Sequence, residues 1–447
     1  MFIGRITKRN WSILSENLKS KTVCFVDNGL FTSFARKIAP EFGKMLYYCP
    51  WQESFPKSVR LEVGSGFAEI ERVQYPLARA DEIDLWVFAD LFQSDLQVFL
   101  AGHGARVWGA RYGEELETER WQMRQLLKKL GLPVADGELI QGMPALREYL
   151  QKRDNLFIKT SFSRGDMETW HHNRYEVSEP RLAQLAYDLG PFADDYEFIV
   201  EGEIPDAVEI GYDGFTVDGQ FPSPSIMAYE IKECGMIGTC KPYAELAEPV
   251  RFVNSKLAPA LKGYNYRGFF STEIRYTADK KPYLIDPCCR LGSPSNELLQ
   301  ELLGGWGPVL WEGAEGRLVN PRQVAKYGVV AMVFGKQSGR NWQALHYPPA
   351  IEQWVKLMNP VAVGPRRYSA PQGEPMNIAS VVGVGNTIIE AVKSCAEHAG
   401  QVEGDGIEVH LSAIEKAMDT IAAGEKRGIR FTPDALPTAE QIKKAVG

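Results

Sequence analysis

Short apolar segments alternate with helical segments from residue 20 to about residue 115, and this alternation constrains the fold most strongly. The stretch KTVCFVDNGLFTSFARKIA predicts a strand, a turn at Asp27-Asn28-Gly29 and a helix. A buried strand, IDLWVFAD, and a helix that ends at glycine before another short strand, DLQVFLAGHGARVWG, come next. Such alternation is typical of a parallel sheet with helices on its faces. The turn lacks a Gly-x-Gly-x-x-Gly pattern, so a dinucleotide site there has weak support.

Length and composition bound the class of protein. A chain of 447 residues is too long for one ordinary core and predicts two to four subdomains. The net charge of −7 gives no general attraction to nucleic acid or anionic lipid, and no apolar run approaches the length of a membrane span. Seven cysteines without a Cys-x-x-Cys pattern favour a reduced, cytoplasmic protein. We therefore expect no nucleic-acid or membrane partner.

A hairpin carries the most informative polar residues. Residues 268–276 and 282–286 are rich in aromatic and β-branched residues, and the polar segment 278–281 between them has the length of a hairpin connector. If Thr277 faces Pro282, then Glu273 lies opposite Asp286. Alternation along the strand then places Cys288 and Arg290 on the same face.

Two facing carboxylates repel each other unless a cation or a proton lies between them. Hard oxygen ligands of this kind suit Mg²⁺, which takes one or two carboxylates together with substrate phosphates. The alternative is a solvated hairpin face balanced by Lys280 and Lys281. A register slip of one residue would also remove the pairing.

Three further positions are candidates for ligand binding. Lys159 ends an apolar strand before a loop in which Ser163 and the amides near Gly165 can curl over an anion; the alternative is a solvated strand end. Glu201 and Glu209 flank a connector that can act as a hinge for an adenine ring and its ribose; the alternative is an exposed loop. Arg290 suits a carboxylate or a phosphoryl group, and the alternative is a structural salt bridge. Cys288 and Cys289 are predicted to be core residues rather than nucleophiles.

The order of these signals resembles the ATP-grasp superfamily over about residues 20–310. The shared features are a strand-ending lysine, a hinge glutamate, paired acids on a late hairpin, an Arg-x-Gly-x-Pro run, and an upstream helix that ends in LGLPVADG. The resemblance implies that Lys159 and Arg120 bind the nucleotide phosphates, that Val200 and Glu201 form the adenine hinge, and that Glu209 is the acid after it. It further implies that Glu273 and Asp286 hold Mg²⁺ and that Arg290 lies near an acyl phosphate.

The C-terminal stretch IASVVGVGNTIIEAVKSCAEHAGQV is similar to the C-terminal domain of glycinamide ribonucleotide synthetases and biotin carboxylases. This implies the carboxylate-amine ligase branch, with ATP and Mg²⁺ as cofactors and a small carboxylate and an amine as substrates. Two departures count against full activity. Cys288 stands where metal-binding members have asparagine, and the phosphate loop has a single glycine, Gly165.

The expected fold class is therefore mixed α/β, an ATP-grasp fold with a Rossmann-like N-terminal domain and a small α/β C-terminal domain. The expected domains are residues 1–117, 118–319 (a lid at about 134–202 and a larger part at 203–319) and 320–447. The expected activity is ligation of a carboxylate to an amine through an acyl phosphate. The alternatives are an ATP-binding scaffold with impaired catalysis and an ATP-grasp phosphotransferase. For the assembly, a homodimer is one option.

Overall fold

The computed structural model describes residues 16–50, 63–160, 169–371 and 376–447. The chain divides into two compact units. Unit 1 contains the N-terminal residues up to Gly113, Glu209–Glu273 and Cys288–Gly447; unit 2 contains Glu114–Val208 and Ile274–Pro287. The division into domains at residues 117/118 and 319/320 stays a prediction.

The N-terminal part of unit 1 is a five-stranded parallel sheet with the order β3-β2-β1-β4-β5. Its elements are β1 (Thr22–Val26), α1 (Thr32–Ile38), β2 (Lys44–Tyr48), β3 (Glu71–Arg72), β4 (Leu85–Phe88), α2 (Ser94–Gly102) and β5 (Val107–Trp108). Strands β1 and β4 are almost entirely apolar and buried, as expected of parallel strands that are covered on both faces. The alternation in the sequence thus predicts this sheet correctly.

Unit 2 contains a four-stranded antiparallel sheet with the order β6-β9-β7-β8. Its elements are α3 (Glu115–Thr118), α4 (Arg120–Lys129), β6 (Gly137–Gln141), α5 (Met143–Leu150), β7 (Leu156–Thr160), β8 (Thr169–His172), α6 (Tyr175–Leu189) and β9 (Glu197–Gly202). Apolar residues of α5 and α6, such as Leu146 and Leu182, pack with Ile158 and Phe198 of the sheet in one core. Burial of these side chains holds the helices on the sheet.

A long antiparallel sheet begins with β10 (Ala207–Val217), β11 (Ser225–Ile231) and β12 (Gly235–Lys241). Helix α7 (Glu248–Gly263) follows, and then β13 (Arg267–Thr277) and β14 (Pro282–Cys288). Strand β13 passes from unit 1 into unit 2, where β14 is its neighbour.

The C-terminal residues of unit 1 complete this sheet, whose order is β14-β13-β10-β11-β12-β17-β22-β19 with β23 beside β17. The elements are α8 (Ser295–Leu302), β15 (Leu303–Gly304), α9 (Trp306–Ala314), β16 (Arg322–Gln323), β17 (Tyr327–Gly335), β18 (Gln343–Leu345), β19 (Val355–Leu357), β20 (Pro360–Val363), β21 (Arg366–Ser369), β22 (Met376–Gly385), α10 (Ile388–Ala399), β23 (Ile407–Val409), α11 (Ser412–Lys426) and α12 (Ala439–Val446). Helix α10 packs closely on β22, since a Cβ atom on Gly383 would lie 2.1 Å from the backbone nitrogen of Cys395. The C-terminal residues are therefore part of the same core as β10–β12.

The β13–β14 turn closes one residue earlier than the sequence analysis expected. The Thr277 amide donates to the Lys281 carbonyl (3.2 Å), and the Lys280 amide donates to the Thr277 carbonyl (3.0 Å). The closing pair is thus Thr277 and Lys281, and the pairing of Thr277 with Pro282 was wrong. Lys280 has a φ of 63°, the left-handed conformation that turns a three-residue loop into a bulged hairpin. The opposed pairs beside the turn are shifted by one residue, so the pairing of Glu273 with Asp286, which assumed that Thr277 faces Pro282, does not follow.

Candidate functional site

A cleft in unit 2 is lined by α4, the segment after it, β7, β9, the segment after β9 and β14. Five of its lining side chains are charged: Arg120, Arg124, Lys159, Glu201 and Asp286. Most of the others are apolar, among them Met123, Leu127, Ile199, Ile204 and Leu284. The cleft therefore offers both an apolar surface and a charged end.

Helix α4 supplies the two arginines through its buried face. Arg120, Met123, Arg124 and Leu127 are the buried residues of this helix, and their spacing of three or four residues puts them on one side. Arg120 donates to the Thr160 carbonyl at the end of β7. Both guanidinium groups are thus carried on a rigid element rather than on a loop.

Strands β7 and β9 place Lys159 and Glu201 on the same face of the sheet. Lys159 is opposite Ile199 and Phe157 is opposite Glu201, so the two charged residues are diagonal neighbours. The Lys159 Nζ lies 3.5 Å from Glu201 Oε2. The sequence predicts that Lys159 ends a strand, and β7 ends one residue later, at Thr160. The Lys159 side chain is only 6% exposed, so it is not a solvated strand end.

Asp286 on β14 completes an ion-pair network in the cleft. Its carboxylate lies 3.2 Å from Lys159 Nζ and 3.6 Å from Arg120 Nε. Arg124 pairs in turn with Glu201. Three cationic groups thus face two carboxylates, which leaves an excess positive charge in a partly desolvated cleft. Such a site attracts an anion such as a phosphate.

The pKa of Lys159 shows how this network holds its charge. Burial by itself favours the neutral amine, but the Asp286 and Glu201 carboxylates overcome that effect and raise the pKa above its ordinary value. Lys159 is therefore a fixed ammonium group at neutral pH. A fixed charge suits phosphate binding better than proton transfer.

In unit 1, Glu209 and Glu273 lie in a second charged cluster. The Lys232 Nζ is 2.5 Å from Glu273 Oε1 and 3.9 Å from carboxylate oxygens of Glu209 and Glu230. Burial, reinforced by the neighbouring carboxylates, raises the pKa of Glu230 to about 8. Burial also raises the pKa of the neighbouring Asp213 to about 6. Glu273 and Asp286 therefore have different lysine partners.

Arg290 follows β14 and lies in unit 1, with its Nε 3.9 Å from Asp90 Oδ1. The next residue anchors this loop, because the Leu291 amide donates to the Ala89 carbonyl (3.0 Å). The Cys288 thiol donates to the Arg290 carbonyl (3.7 Å), and Cys289 is buried. None of the seven cysteines, all of which are described, forms a disulfide.

The structure thus brings Arg120, Lys159, Glu201 and Asp286 together in unit 2. Val200 is buried on β9, the strand that lies between β6 and β7, and the chain leaves the sheet only after Gly202. Glu209, Glu273 and Arg290 belong to unit 1, and Ser163 and Gly165 lie outside the described residues. Whether these residues bind ligands stays a prediction.

Sequence reasoning missed Arg124 and Lys232. Arg124 follows Arg120 by four residues on an amphipathic helix, a spacing that would have placed both guanidinium groups on one face. Lys232 follows β11 directly, but its three glutamate neighbours come from different strands. Glu230 precedes Lys232 by two residues, but only the strand order adds Glu209 and Glu273, so nothing local in the sequence indicates the whole cluster.

Neither a family model nor a curated protein sequence matches this chain. Solved structures do match. Phosphoribosylamine–glycine ligase from Thermotoga maritima is similar with a TM-score of 0.66 at 15% identity, covering 87% of this chain and 99% of that one. Biotin carboxylase from Campylobacter jejuni, in a β-γ-ATP complex, has a TM-score of 0.64 at 15% identity, covering 91% and 97%. N5-carboxyaminoimidazole synthetase from Staphylococcus aureus, complexed with ADP, has a TM-score of 0.57 at 12% identity, covering 82% and 94%.

The chain has the ATP-grasp fold. This confirms the ATP-grasp fold and the mixed α/β class expected from the sequence. At 12–15% identity the likeness establishes the ATP-grasp fold alone, so the argument for an activity depends on this chain's own residues. None of the described helices is long and apolar enough to cross a membrane.

Proposed function

We propose that this chain is an ATP-dependent ligase that joins a carboxylate to an amine through an acyl phosphate. The observation that carries the proposal is the unit 2 cleft, in which an apolar wall adjoins a charged end with one excess positive charge. An adenosine triphosphate has the same two halves, an apolar ring and an anionic chain. The fold adds support, because its neighbours include a named ligase and complexes with ATP and ADP.

In this proposal the adenine ring packs against Met123, Leu127 and Leu284, and Lys159 and Arg120 bind the phosphates. Val200 and Glu201 form the hinge beside the ring, and Glu209 accepts the ribose hydroxyls. Ser163 and Gly165, which lie outside the described residues, stay predicted phosphate ligands. Lys159 and Arg120 are buried at 5% exposure each and already positioned by ion pairs, so they lose little side-chain freedom on binding.

A divalent cation is implied by the fold, since a biotin carboxylase domain in this group of neighbours was crystallised with MgADP. Among the described residues there is no cluster of three metal-ligating side chains. Mg²⁺ does not require such a cluster, because it enters these sites with the nucleotide and uses one or two protein carboxylates. Glu273 and Asp286 would hold it, and it would neutralise phosphate charge. On binding, the cation would replace Lys232 as the partner of Glu273 and Lys159 as the partner of Asp286.

The chemistry requires positioning and charge stabilisation rather than a covalent enzyme intermediate. The substrate carboxylate attacks the γ-phosphorus, ADP leaves, and the acyl phosphate reacts with the amine. Lys159 and Arg120 hold the transferred group in line. Arg290 stabilises the negative charge that develops as the amine attacks, a type of contribution worth roughly 3–4 kcal/mol in other enzymes.

Two observations favour a second candidate, an ATP-binding scaffold with impaired catalysis. Cys288 stands at the usual asparagine position and donates to a backbone carbonyl, and thiols are poor Mg²⁺ ligands. In addition, Lys159 and Lys232 already neutralise Asp286 and Glu273. A scaffold would bind MgATP and form no ADP with any pair of substrates. A phosphotransferase would instead release a stable phosphorylated product.

The test is a matrix of small carboxylates and amines with MgATP, read by ADP release and by product mass. The ligase predicts ADP and an amide only when both substrates are present. Asp286→Asn should abolish ADP release; because it also removes the carboxylate partner of Lys159 and Arg120, we expect a lower melting temperature with the fold retained, as checked by circular dichroism. Asp279→Asn, an exposed carboxylate in the turn of the same hairpin, is the matched control and should behave as wild type. Wild-type turnover in Asp286→Asn would remove the metal assignment.

We also propose that the enzyme is cytoplasmic, which the seven cysteines without a disulfide support. A homodimer is proposed because the biotin carboxylase domain of Hydrogenobacter thermophilus 2-oxoglutarate carboxylase, similar with a TM-score of 0.64 at 12% identity, is described as a dimer. Light scattering at several protein concentrations tests the assembly. A monomer mass at all concentrations would contradict it.

A further inference from the structure

The unit 2 cleft contains a buried arginine with donors that the nucleotide scheme does not use. Arg124 lies on α4 one turn after Arg120, and its side chain is 3% exposed. Its Nη1 donates to the Glu201 carboxylate. Its Nε and Nη2 are also buried, and neither donates a hydrogen bond to any residue that the structure describes. A buried donor is costly to leave without an acceptor, which points to an acceptor supplied by a ligand.

The two unused nitrogens form one edge of the guanidinium plane. The Nε–H and one Nη2–H of an arginine point in nearly the same direction, so they offer a planar fork of two donors. Trp121 covers one face of the group, with its ring centroid 5.9 Å from Arg124 Cζ. A Cβ atom on Gly137 would lie 2.9 Å from Nη2, so the start of β6 lies directly beside the group. Packing and the ion pair therefore hold the guanidinium group in one orientation.

The position of Arg124 along α4 separates it from the phosphate end of the cleft. At that charged end, the Nε of Arg120 lies 3.6 Å from the Asp286 carboxylate. Arg124 is about 6 Å further along the helix, since each residue adds 1.5 Å. Its neighbours on the buried face of the helix are the apolar residues Met123 and Leu127, which also line the cleft. Arg124 therefore lies at the part of the cleft to which the nucleotide scheme assigns the base.

Glu201 supplies an acceptor beside these donors. It is the ion-pair partner of Arg124, it lines the same cleft, and its side chain is 18% exposed. The main chain of Val200 and Glu201 lies between β6 and β7, and pairing with these two strands occupies its hydrogen-bonding groups. Recognition of a base at this point of the cleft therefore depends on side chains. Together, Arg124 and Glu201 present a donor next to an acceptor.

We propose that Arg124 and Glu201 select adenine, with Arg124 donating to a ring nitrogen of the base and Glu201 accepting from the 6-amino group. The inference rests on the proposed function for the presence of a nucleotide in this cleft. Adenine carries its amino group between two ring acceptors, N1 and N7, and this edge matches a donor beside an acceptor. Guanine and hypoxanthine present a carbonyl oxygen at the same place, and the Glu201 carboxylate repels it. Arg124 is thus a specificity-determining residue.

The experiment measures nucleotide binding to the full chain without carboxylate or amine substrates, so that it is independent of ligation. The probes are the Mg²⁺ complexes of ATP, inosine triphosphate, 1-deaza-ATP and 7-deaza-ATP, each titrated by calorimetry. Wild type should bind ATP roughly tenfold more tightly than inosine triphosphate, or better. It should also bind one of the two deaza analogues roughly tenfold more weakly than ATP, because that analogue lacks the acceptor for Arg124.

Arg124→Met separates base recognition from a structural or phosphate-binding role. The variant keeps a long side chain and leaves Glu201 with Lys159 as a partner at 3.5 Å. Its Kd for ATP should rise roughly tenfold, whereas its Kd for the weakly bound deaza analogue should equal that of wild type. Glu201→Gln, whose amide can donate to a carbonyl oxygen, should reduce the preference for ATP over inosine triphosphate. Lys129→Met, at an exposed lysine of the same helix, is the matched control and should leave every Kd unchanged.

Two results would overturn the proposal. The first is an Arg124→Met variant in which the Kd rises by the same factor for ATP and for both deaza analogues, which would indicate contact with phosphate or a structural role. The second is equal affinity of wild type for all four nucleotides, a result that needs no variant and so holds if Arg124→Met does not fold. Discrimination between the nucleotides without ADP formation from any pair of substrates would instead refute only the ligase reaction.

Discussion

Replacing Lys159 by methionine separates the structural role of this lysine from its role in nucleotide binding. The change keeps a long side chain that fills the same buried space and removes the ammonium group. In the folded chain, Asp286 keeps Arg120 as a partner at 3.6 Å, and Glu201 keeps Arg124. No carboxylate is therefore left without a cation.

The expected cost in stability follows from these remaining pairs. Removing one partner of a fully buried ion pair costs about 3–5 kcal/mol. Here the carboxylates keep arginine partners, and the side chains of Asp286 and Glu201 are 24% and 18% exposed. Because solvent screens the carboxylates and burial of the ammonium group was itself unfavourable, we expect Lys159→Met to lower the free energy of unfolding by about 1–2 kcal/mol.

The expected cost in nucleotide affinity is larger. A hydrogen bond to a charged group contributes about 1.5–3 kcal/mol, and each 1.4 kcal/mol is a factor of ten in affinity. The Kd for Mg²⁺-bound adenylyl imidodiphosphate, measured by calorimetry, should therefore rise roughly 10-fold to 150-fold in Lys159→Met. Lys152→Met, at a 63% exposed lysine of the same unit, is the control and should leave the Kd unchanged. A folded Lys159→Met variant with the wild-type Kd would refute the assignment of the cleft to nucleotide phosphates.

Three further predictions concern unit 1. Burial raises the pKa of Asp27 to about 7, so the folded state holds a proton that the unfolded state releases at lower pH. Wild type should therefore lose stability relative to Asp27→Asn as the pH rises from about 4 to 7. A difference in free energy of unfolding that stays constant with pH in denaturant titrations would contradict this. Gly383→Ala places a methyl group 2.1 Å from the backbone nitrogen of Cys395 and should destabilise the fold by about 2–3 kcal/mol or more. The control is Gly400→Ala, whose added Cβ is no closer than 3.5 Å to its neighbours and should change the melting temperature little. Equal melting temperatures of the two variants would show that β22 and α10 are not packed this closely. Thr387→Ala removes the capping box of α10 and should cost about 1 kcal/mol by denaturant titration, and a loss below about 0.3 kcal/mol would show that the cap is not formed in solution.

Much of the fold could be predicted from local pattern. The alternation of apolar strands and helices near the N-terminus predicts the parallel sheet, because strands buried on both faces read as continuous apolar runs. The ends of Lys159's strand and the β13–β14 hairpin were also predictable from composition. In each case the signal lies within about ten residues of the element it specifies.

The parts that failed depend on information that is not local. The predicted hairpin register was wrong because Lys280 adopts a left-handed conformation, which a lysine rarely does. Nothing in the segment 278–281 indicates this conformation. The contact between Lys232 and three glutamates depends on the order of β10, β11 and β13 in the sheet. The placement of β4 on the other side of β1 from β2 likewise follows from strand order, so the sequence alone predicts Asp27 only as a turn residue.

The most direct test of the account is a crystal structure of the full chain with adenylyl imidodiphosphate and Mg²⁺. We expect the adenine ring to lie against Met123, Leu127 and Leu284 and the phosphates to lie within hydrogen-bond distance of Lys159 and Arg120. A nucleotide bound elsewhere, or a cleft in which Lys159 and Asp286 keep their ion pair with no phosphate beside them at saturating nucleotide, would contradict it.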